Sequence, residues 1–125
     1  MFDFSKYHEI SKKIESEDRL LSDECYRRTA VSRAYYSVYK VCDEKLKSEY
    51  NDTYNGFQGK GSHQKVWKLC DMVPDLKKLD ISNKAFRLLD KRKLADYDPN
   101  KSITKIDVKM ANADAQFILN KIKKS

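Results

Sequence analysis

The chain has 125 residues, 26 Lys and Arg against 19 Asp and Glu, and a formal net charge of +7. That length holds one sizeable core and not two, and three glycines with two prolines leave few places to turn, so a few long helices are expected and an all-β or two-domain reading is not. No apolar run approaches membrane-spanning length and Met1-Phe2-Asp3-Phe4-Ser5 lacks the form of a secretory signal, so a soluble, cytoplasmic protein without membrane contact is expected.

Five helical segments are predicted in chain order. Phe4, Tyr7, Ile10 and Ile14 recur at three- and four-residue steps and predict a short amphipathic helix from Phe4 to about Glu17, with His8 as a surface or edge residue. Ser22-Asp23-Glu24 caps the second and central helix, about Glu24 to Glu49, on which Ala30, Ala34, Val38 and Val41 form one stripe and Tyr35, Tyr39, Cys42 and Leu46 a second. The glycine-bearing stretch from Asn51 to Gly61 reads as a loop and the most mobile element. Ser62 caps a third helix through about Met72, with Val66, Leu69 and Cys70 or Val73 inward, Trp67 at the core edge and Pro74 as its stop. The fourth helix, roughly Ser82 to Tyr97, buries Ala85, Leu88, Leu89 and Ala95, and Asp98, standing before Pro99, leaves helical geometry. The last opens at Ser102 or Thr104, where Thr104 and Asp107 have capping-box spacing, and shows an apolar face of Ile106, Met110, Ala113, Phe117, Ile118 and Ile122.

Cys25, Cys42 and Cys70 form neither an even set nor a paired metal-ligand spacing, so they read as reduced core thiols, and no metal site or cofactor is expected. The basic excess points to polyanions, nucleic acid first, although the charges are interspersed. Chemistry concentrates at the end of the fourth helix. Arg92 and Asp96 are four apart and share a face, and Tyr97 follows where the helix frays. These residues form either a phosphate-handling site or an ion pair beside a half-buried phenol. His63, after the glycine-bearing stretch, either faces an anion at a helix start or packs there. Tyr26, Tyr35, Tyr36 and Tyr39, interleaved with Arg27, Arg28 and Arg33, form either a nucleotide-stacking surface or a core edge and subunit contact.

Three stretches carry a likeness: Arg28-Thr29-Ala30-Val31-Ser32-Arg33-Ala34-Tyr35-Tyr36-Ser37-Val38-Tyr39, His63, and Arg92-Lys93-Leu94-Ala95-Asp96-Tyr97-Asp98. From about Leu21 to Ile122 the chain resembles the HEPN superfamily, in particular its small prokaryotic branch with a Ser-Arg-Ala-Tyr-Tyr helix and an Arg-x-x-Ala-Asp-Tyr helix end. The resemblance implies an up-and-down bundle of four to five helices, a homodimer, and work in an RNA or nucleotide context of toxin–antitoxin or antiphage type, with a nucleotidyltransferase-type or defence-system protein as partner. It also implies a metal-independent endoribonuclease site in which an arginine holds phosphate and a histidine four to six residues on moves protons. Arg92 matches that arginine, but Tyr97 stands where the histidine would be, and a phenol is a poor base at neutral pH. The catalytic candidates carried over are Arg92, Tyr97 and His63, with Arg33, Tyr36 and Asp96 as phosphate-contacting or structural residues. The alternative is a noncatalytic interaction module that binds a protein partner. The two differ in one respect: an enzyme needs Arg92 accessible in a cleft with His63, whereas a module buries Arg92 against a carboxylate.

Overall fold

The computed structural model describes residues 1–59 and 61–124, and among these it is helical with no strand. A 3-10 turn over Phe4–Lys6 leads into α1 (Tyr7–Ser16), then α2 (Asp18–Leu21), α3 (Glu24–Glu49), α4 (Asn51–Gly56), α5 (Ser62–Met72), α6 (Pro74–Lys77), α7 (Ser82–Tyr97) and α8 (Lys105–Lys123). The five long segments lie where apolar periodicity puts them, and the short helices α2, α4 and α6 fill the connections.

The starts and stops have local causes. The Asp23 carboxylate accepts the Cys25 N–H at 2.8 Å and so caps α3. Thr104 and Asp107 close a reciprocal capping box at the head of α8, with bonds of 3.1 and 2.8 Å. Pro74 opens α6 rather than merely ending α5, because its missing N–H is no loss in a first turn. Ser62 is not a cap but the first residue of α5, and Gly61 precedes it with φ +79°, a backbone state that suits glycine.

The expected loop from Asn51 is a helical turn over Asn51–Gly56, and Lys60 lies outside the described residues. Polar turn formers are overridden there by contacts. The Tyr54 hydroxyl donates to Asp43 at 2.8 Å, and the Lys65 ammonium sits 3.8 Å from the Tyr54 ring centre.

Helix α3 is the centre of the bundle and packs against α1, α5, α7 and α8. Both of its apolar stripes are buried as expected, except that Val41 is only half-buried. Trp67 is not at the core edge but fully enclosed, at 0% exposure, and its indole N–H donates to the Tyr35 hydroxyl at 3.2 Å. Two other expectations are corrected. On α8 the buried face is Val108, Ala111, Ala115, Ile118, Leu119 and Ile122, while Ile106, Met110 and Ala113 are exposed. On α1 the inward residues are His8, Ser11 and Ile14, with Ile10 exposed, so polar side chains share an interface that the apolar spacing alone had assigned. Cys42 and Cys70 are core thiols in hydrogen-bonding contact, which with burial holds the Cys42 thiol well above its ordinary range, but Cys25 is exposed. No helix among the described residues is long and apolar enough to cross a membrane.

The packing sets two unlike mutational costs. Trp67→Ala is expected to cost about 3–5 kcal/mol, because it opens a cavity under α3, whereas Thr104→Ala costs about 1 kcal/mol, the worth of a helix cap. Urea unfolding of both variants checks the ranking; comparable losses would show that Trp67 does not anchor the core.

Candidate functional site

The end of α7 is held in place by α3. Arg28 donates through one terminal nitrogen to the carbonyls of Leu94 and Ala95, both at 3.0 Å, and through the other to the Lys101 carbonyl, while its Nε meets Glu24 at 3.0 Å. Arg27 reaches the Ile103 carbonyl at 2.6 Å. The last carbonyls of a helix lack an intrahelical donor; α3 supplies one to Ala95 and adds a second to Leu94, which also accepts from the Asp98 N–H at 3.1 Å.

On that anchored turn Arg92 points into the α3 interface and is only 6% exposed. Its Nε donates to Asp96 Oδ2 at 2.9 Å, and one terminal nitrogen donates to the hydroxyls of Tyr36 at 2.5 Å and Tyr97 at 3.2 Å. Asp96 also accepts from the Ser32 hydroxyl at 3.2 Å. The guanidinium lies 5.0 and 5.2 Å from the Tyr36 and Tyr97 ring centres, so phenol faces add to the ion pair. The second terminal nitrogen of Arg92 makes no hydrogen bond among the described residues. Tyr97 is 71% exposed and forms the outer wall.

His63 arrives from α5. Its ring stacks on Tyr39 at 4.2 Å and meets the edge of Tyr36 at 5.9 Å. Its Nδ1 lies 2.8 Å from the Tyr35 hydroxyl. Because that hydroxyl already accepts from Trp67, its own proton is free to go to His63 Nδ1, which leaves the ring hydrogen on Nε2. Burial first, then the charges of Arg92, Lys93 and Lys40, hold the imidazole below its ordinary range. Tyr35 is pushed well up by burial and stays a phenol.

Arg33 is stacked between the Tyr7 and Tyr36 rings at 4.6 and 5.2 Å and makes no ion pair among the described residues. Beside it a groove of about 420 Å³ runs past Arg28, Thr29, Ser32, Arg33 and Asp96.

The structure therefore brings Arg33, Tyr36, His63, Arg92, Asp96 and Tyr97 together where the end of α7 and the start of α5 meet the middle of α3. It does not make a stacking surface of the α3 tyrosines, because Tyr35 and Tyr39 are core residues and Arg27 and Arg28 are committed to carbonyls. Ser32, which holds Asp96, was missed as a site residue, and Tyr35 and Tyr39, read as a stacking surface or core edge, hold His63 instead. Their signal was the four-residue spacing Ser32–Tyr36 and Tyr35–Tyr39. Among the described residues no group of three or more His, Cys, Asp or Glu could hold a metal.

Chemically the cluster can hold an anion. One terminal nitrogen of Arg92 makes no hydrogen bond and Arg33 no ion pair among the described residues, and the charges of Lys93 and Lys40 reach His63. With Tyr35 donating to Nδ1, the network assigns the ring hydrogen to His63 Nε2, so the imidazole presents a further donor to the cluster.

Two measurements follow. Asp96→Ala removes the carboxylate beside Arg92 and is expected to cost about 2 kcal/mol, less than a fully buried pair would because Asp96 keeps some solvent contact; Asp96→Asn, which keeps an acceptor, should cost less, and equal losses would count against the ion pair. Both His8 and His63 sit below the ordinary value of 6.5. Between the folded and unfolded values the unfolded chain binds more protons, so stability is full above about pH 6.5 and falls as pH drops through that window. The urea midpoint should be lower at pH 5 than at pH 7.5, and His63→Gln should shrink that difference; an unchanged difference in His63→Gln would contradict the assignment.

Comparison with protein-family models, with curated proteins and with solved structures finds no match to this chain.

Proposed function

We propose that this chain is a HEPN-like helical domain that acts in an RNA or nucleotide context, holding phosphate at the Arg92 end without cleaving it on its own. That the chain does not cleave is carried by the burial of Arg92 against Asp96, the arrangement expected of a noncatalytic module, while the phosphate context rests on the resemblance and the basic excess. A charge so committed, with phenols on two sides, leaves one terminal nitrogen uncommitted but is not poised to follow charge as it develops on a phosphorane. Support also comes from His63, whose Nδ1 accepts from Tyr35 and whose Nε2 is then a donor rather than a base. The resemblance supplies the setting: a homodimer of toxin–antitoxin or antiphage type, paired with a nucleotidyltransferase-type or defence-system protein that would carry any covalent chemistry.

A second reading keeps a specific observation in its favour. His63 and Arg92, 29 positions apart, do converge on Tyr36, which is what a metal-independent ribonuclease using Arg92, Tyr97 and His63 requires. In that case the tautomer must reverse before His63 can take a proton from a 2′-hydroxyl.

The two readings separate in one experiment on a mixed RNA pool in chelator, with wild type, Arg92→Ala, His63→Ala and the double variant Arg33→Glu/Lys93→Glu at equal fold content. The expected outcome is intact RNA throughout, salt-sensitive binding by wild type, and binding roughly tenfold weaker in the charge-reversed double variant. Cleavage by wild type that Arg92→Ala abolishes would replace the first reading by the second. RNA neither bound nor cut would overturn both and leave the protein-binding role.

A further inference from the structure

Helix α8 has two apolar faces, and the bundle uses one. The face that meets the bundle, from Val108 to Ile122, is buried, while Ile106 is 68% and Met110 44% exposed, Ala113 is exposed and Phe117 is half-buried. These last four follow one another at steps of four, three and four residues, the spacing of a coiled-coil seam, and span about 17 Å of helix. Ala113 stands between the larger Met110 and Phe117, which leaves room on the seam for a side chain from outside. A single exposed apolar residue is ordinary, but a row of them in register marks a contact surface.

The α7 side of this seam is cationic. Lys84 of α7 and Lys121 sit over the Phe117 ring, 4.5 and 5.3 Å from its centre, and neither makes an ion pair among the described residues. The carboxylates there are already taken: Asp107 holds Lys91 at 2.9 Å, and Asp114 holds Arg87 through hydrogen bonds of 2.9 and 2.5 Å. Asp114 is buried and Asp107 half-buried, while Arg87 is exposed. With the exposed Asp90 of α7 counted as well, cations still outnumber carboxylates along this flank. On the other flank Lys109 shares a cleft with Glu15, so the excess lies on the α7 side. A second copy laid antiparallel along the seam brings the cationic flank against itself, and one laid parallel brings it against Lys109. A nucleic-acid backbone answers the cations but leaves Ile106 and Met110 against phosphate. A bilayer receives only those two side chains, because ammonium groups cap Phe117. A helix with apolar residues at heptad spacing and Asp or Glu on its flanks answers both features together.

We propose that the outer face of α8 docks an acidic amphipathic helix of a partner protein, about three turns long, with its apolar stripe on Ile106, Met110, Ala113 and Phe117 and its carboxylates toward Lys84, Arg87 and Lys121. The seam sets the register and the cations set the choice of partner. None of these residues belongs to the Arg92 cluster, so docking here is independent of phosphate there.

The test is a fluorescence-anisotropy titration of the full chain against a labelled peptide of about three heptads with Leu at a and d and Glu at e and g, whose like charges keep it from pairing with itself, and against the same peptide with Lys for Glu. The expected result is saturable binding of the Glu peptide, and binding about tenfold weaker for the Lys peptide, for Ile106→Ser/Met110→Ser and for Lys84→Glu/Lys121→Glu. None of the four side chains is in the core, so both variants keep the fold, which circular dichroism checks. Failure of the Glu peptide to bind overturns the proposal, as does binding that the Lys peptide matches or that Ile106→Ser/Met110→Ser retains. Sedimentation equilibrium of the chain alone and flotation with phosphatidylglycerol vesicles address the other occupants. A wild-type dimer that Ile106→Ser/Met110→Ser dissolves gives the face to a second copy, vesicle binding lost in that variant gives it to a membrane, and either result overturns the partner helix.

Discussion

A guanidinium carried out of water and into a helix interface must be answered where it lies, because the lost hydration is worth several kcal/mol and no distant charge can replace it. Arg92 meets this constraint with Asp96 one helical turn away and with two phenol oxygens, one from α3 and one from its own helix. Much of the bundle follows from that arrangement. Tyr36 must face α7, so Tyr35 and Tyr39 turn into the core and meet Trp67 and His63. The approach of α5 to α3 is thereby tied to the same ring cluster that receives the buried cation.

The groups that make this network stable also limit its chemistry. Each hydrogen bond that fixes Arg92 or His63 uses a donor or acceptor that phosphoryl chemistry would need free. A satisfied polar network rigidifies a site, and rigidity serves recognition. Proton transfer is different, because it requires a group with a pKa near the working pH and an unoccupied lone pair. In the tautomer that accepts the Tyr35 proton, His63 has no unoccupied lone pair, and burial lowers its pKa further from the neutral range. What is left over is one terminal nitrogen of Arg92, on the same Tyr36 ring that Arg33 meets.

The fold was legible where one physical signal dominated. Apolar period located the long helices, and local chemistry at Asp23 and at Thr104 with Asp107 marked two helix starts. Four-residue spacing on one helix face put Arg92 beside Asp96, and the two meet there, with Tyr36 joining them from α3. Legibility failed where tertiary contacts decide. Asn51–Gly56 has the composition of a loop but is pulled into a helical turn by Tyr54 reaching Asp43. His8 was placed at the surface because histidine is polar, yet α8 covers it, and no local pattern on α1 announces a polar partner about a hundred residues away. Ile106 and Met110 look like core by period and are not, since their stripe is rotated from the one that meets α3.

Arg28 has a consequence for how this chain can change. One side chain spans from the last carbonyls of α7 to the Lys101 carbonyl in the connection to α8, and a side chain has a fixed reach. The connection between α7 and α8 is therefore held to its present length. An inserted residue there would carry the Lys101 carbonyl away from the guanidinium or shift the capping box at Thr104 by one position. Loops at protein surfaces ordinarily accept length variation at little entropic cost. This one is an exception, and a homologous chain that keeps an arginine at the position of Arg28 should also keep the spacing between its α7 tyrosine and its α8 cap.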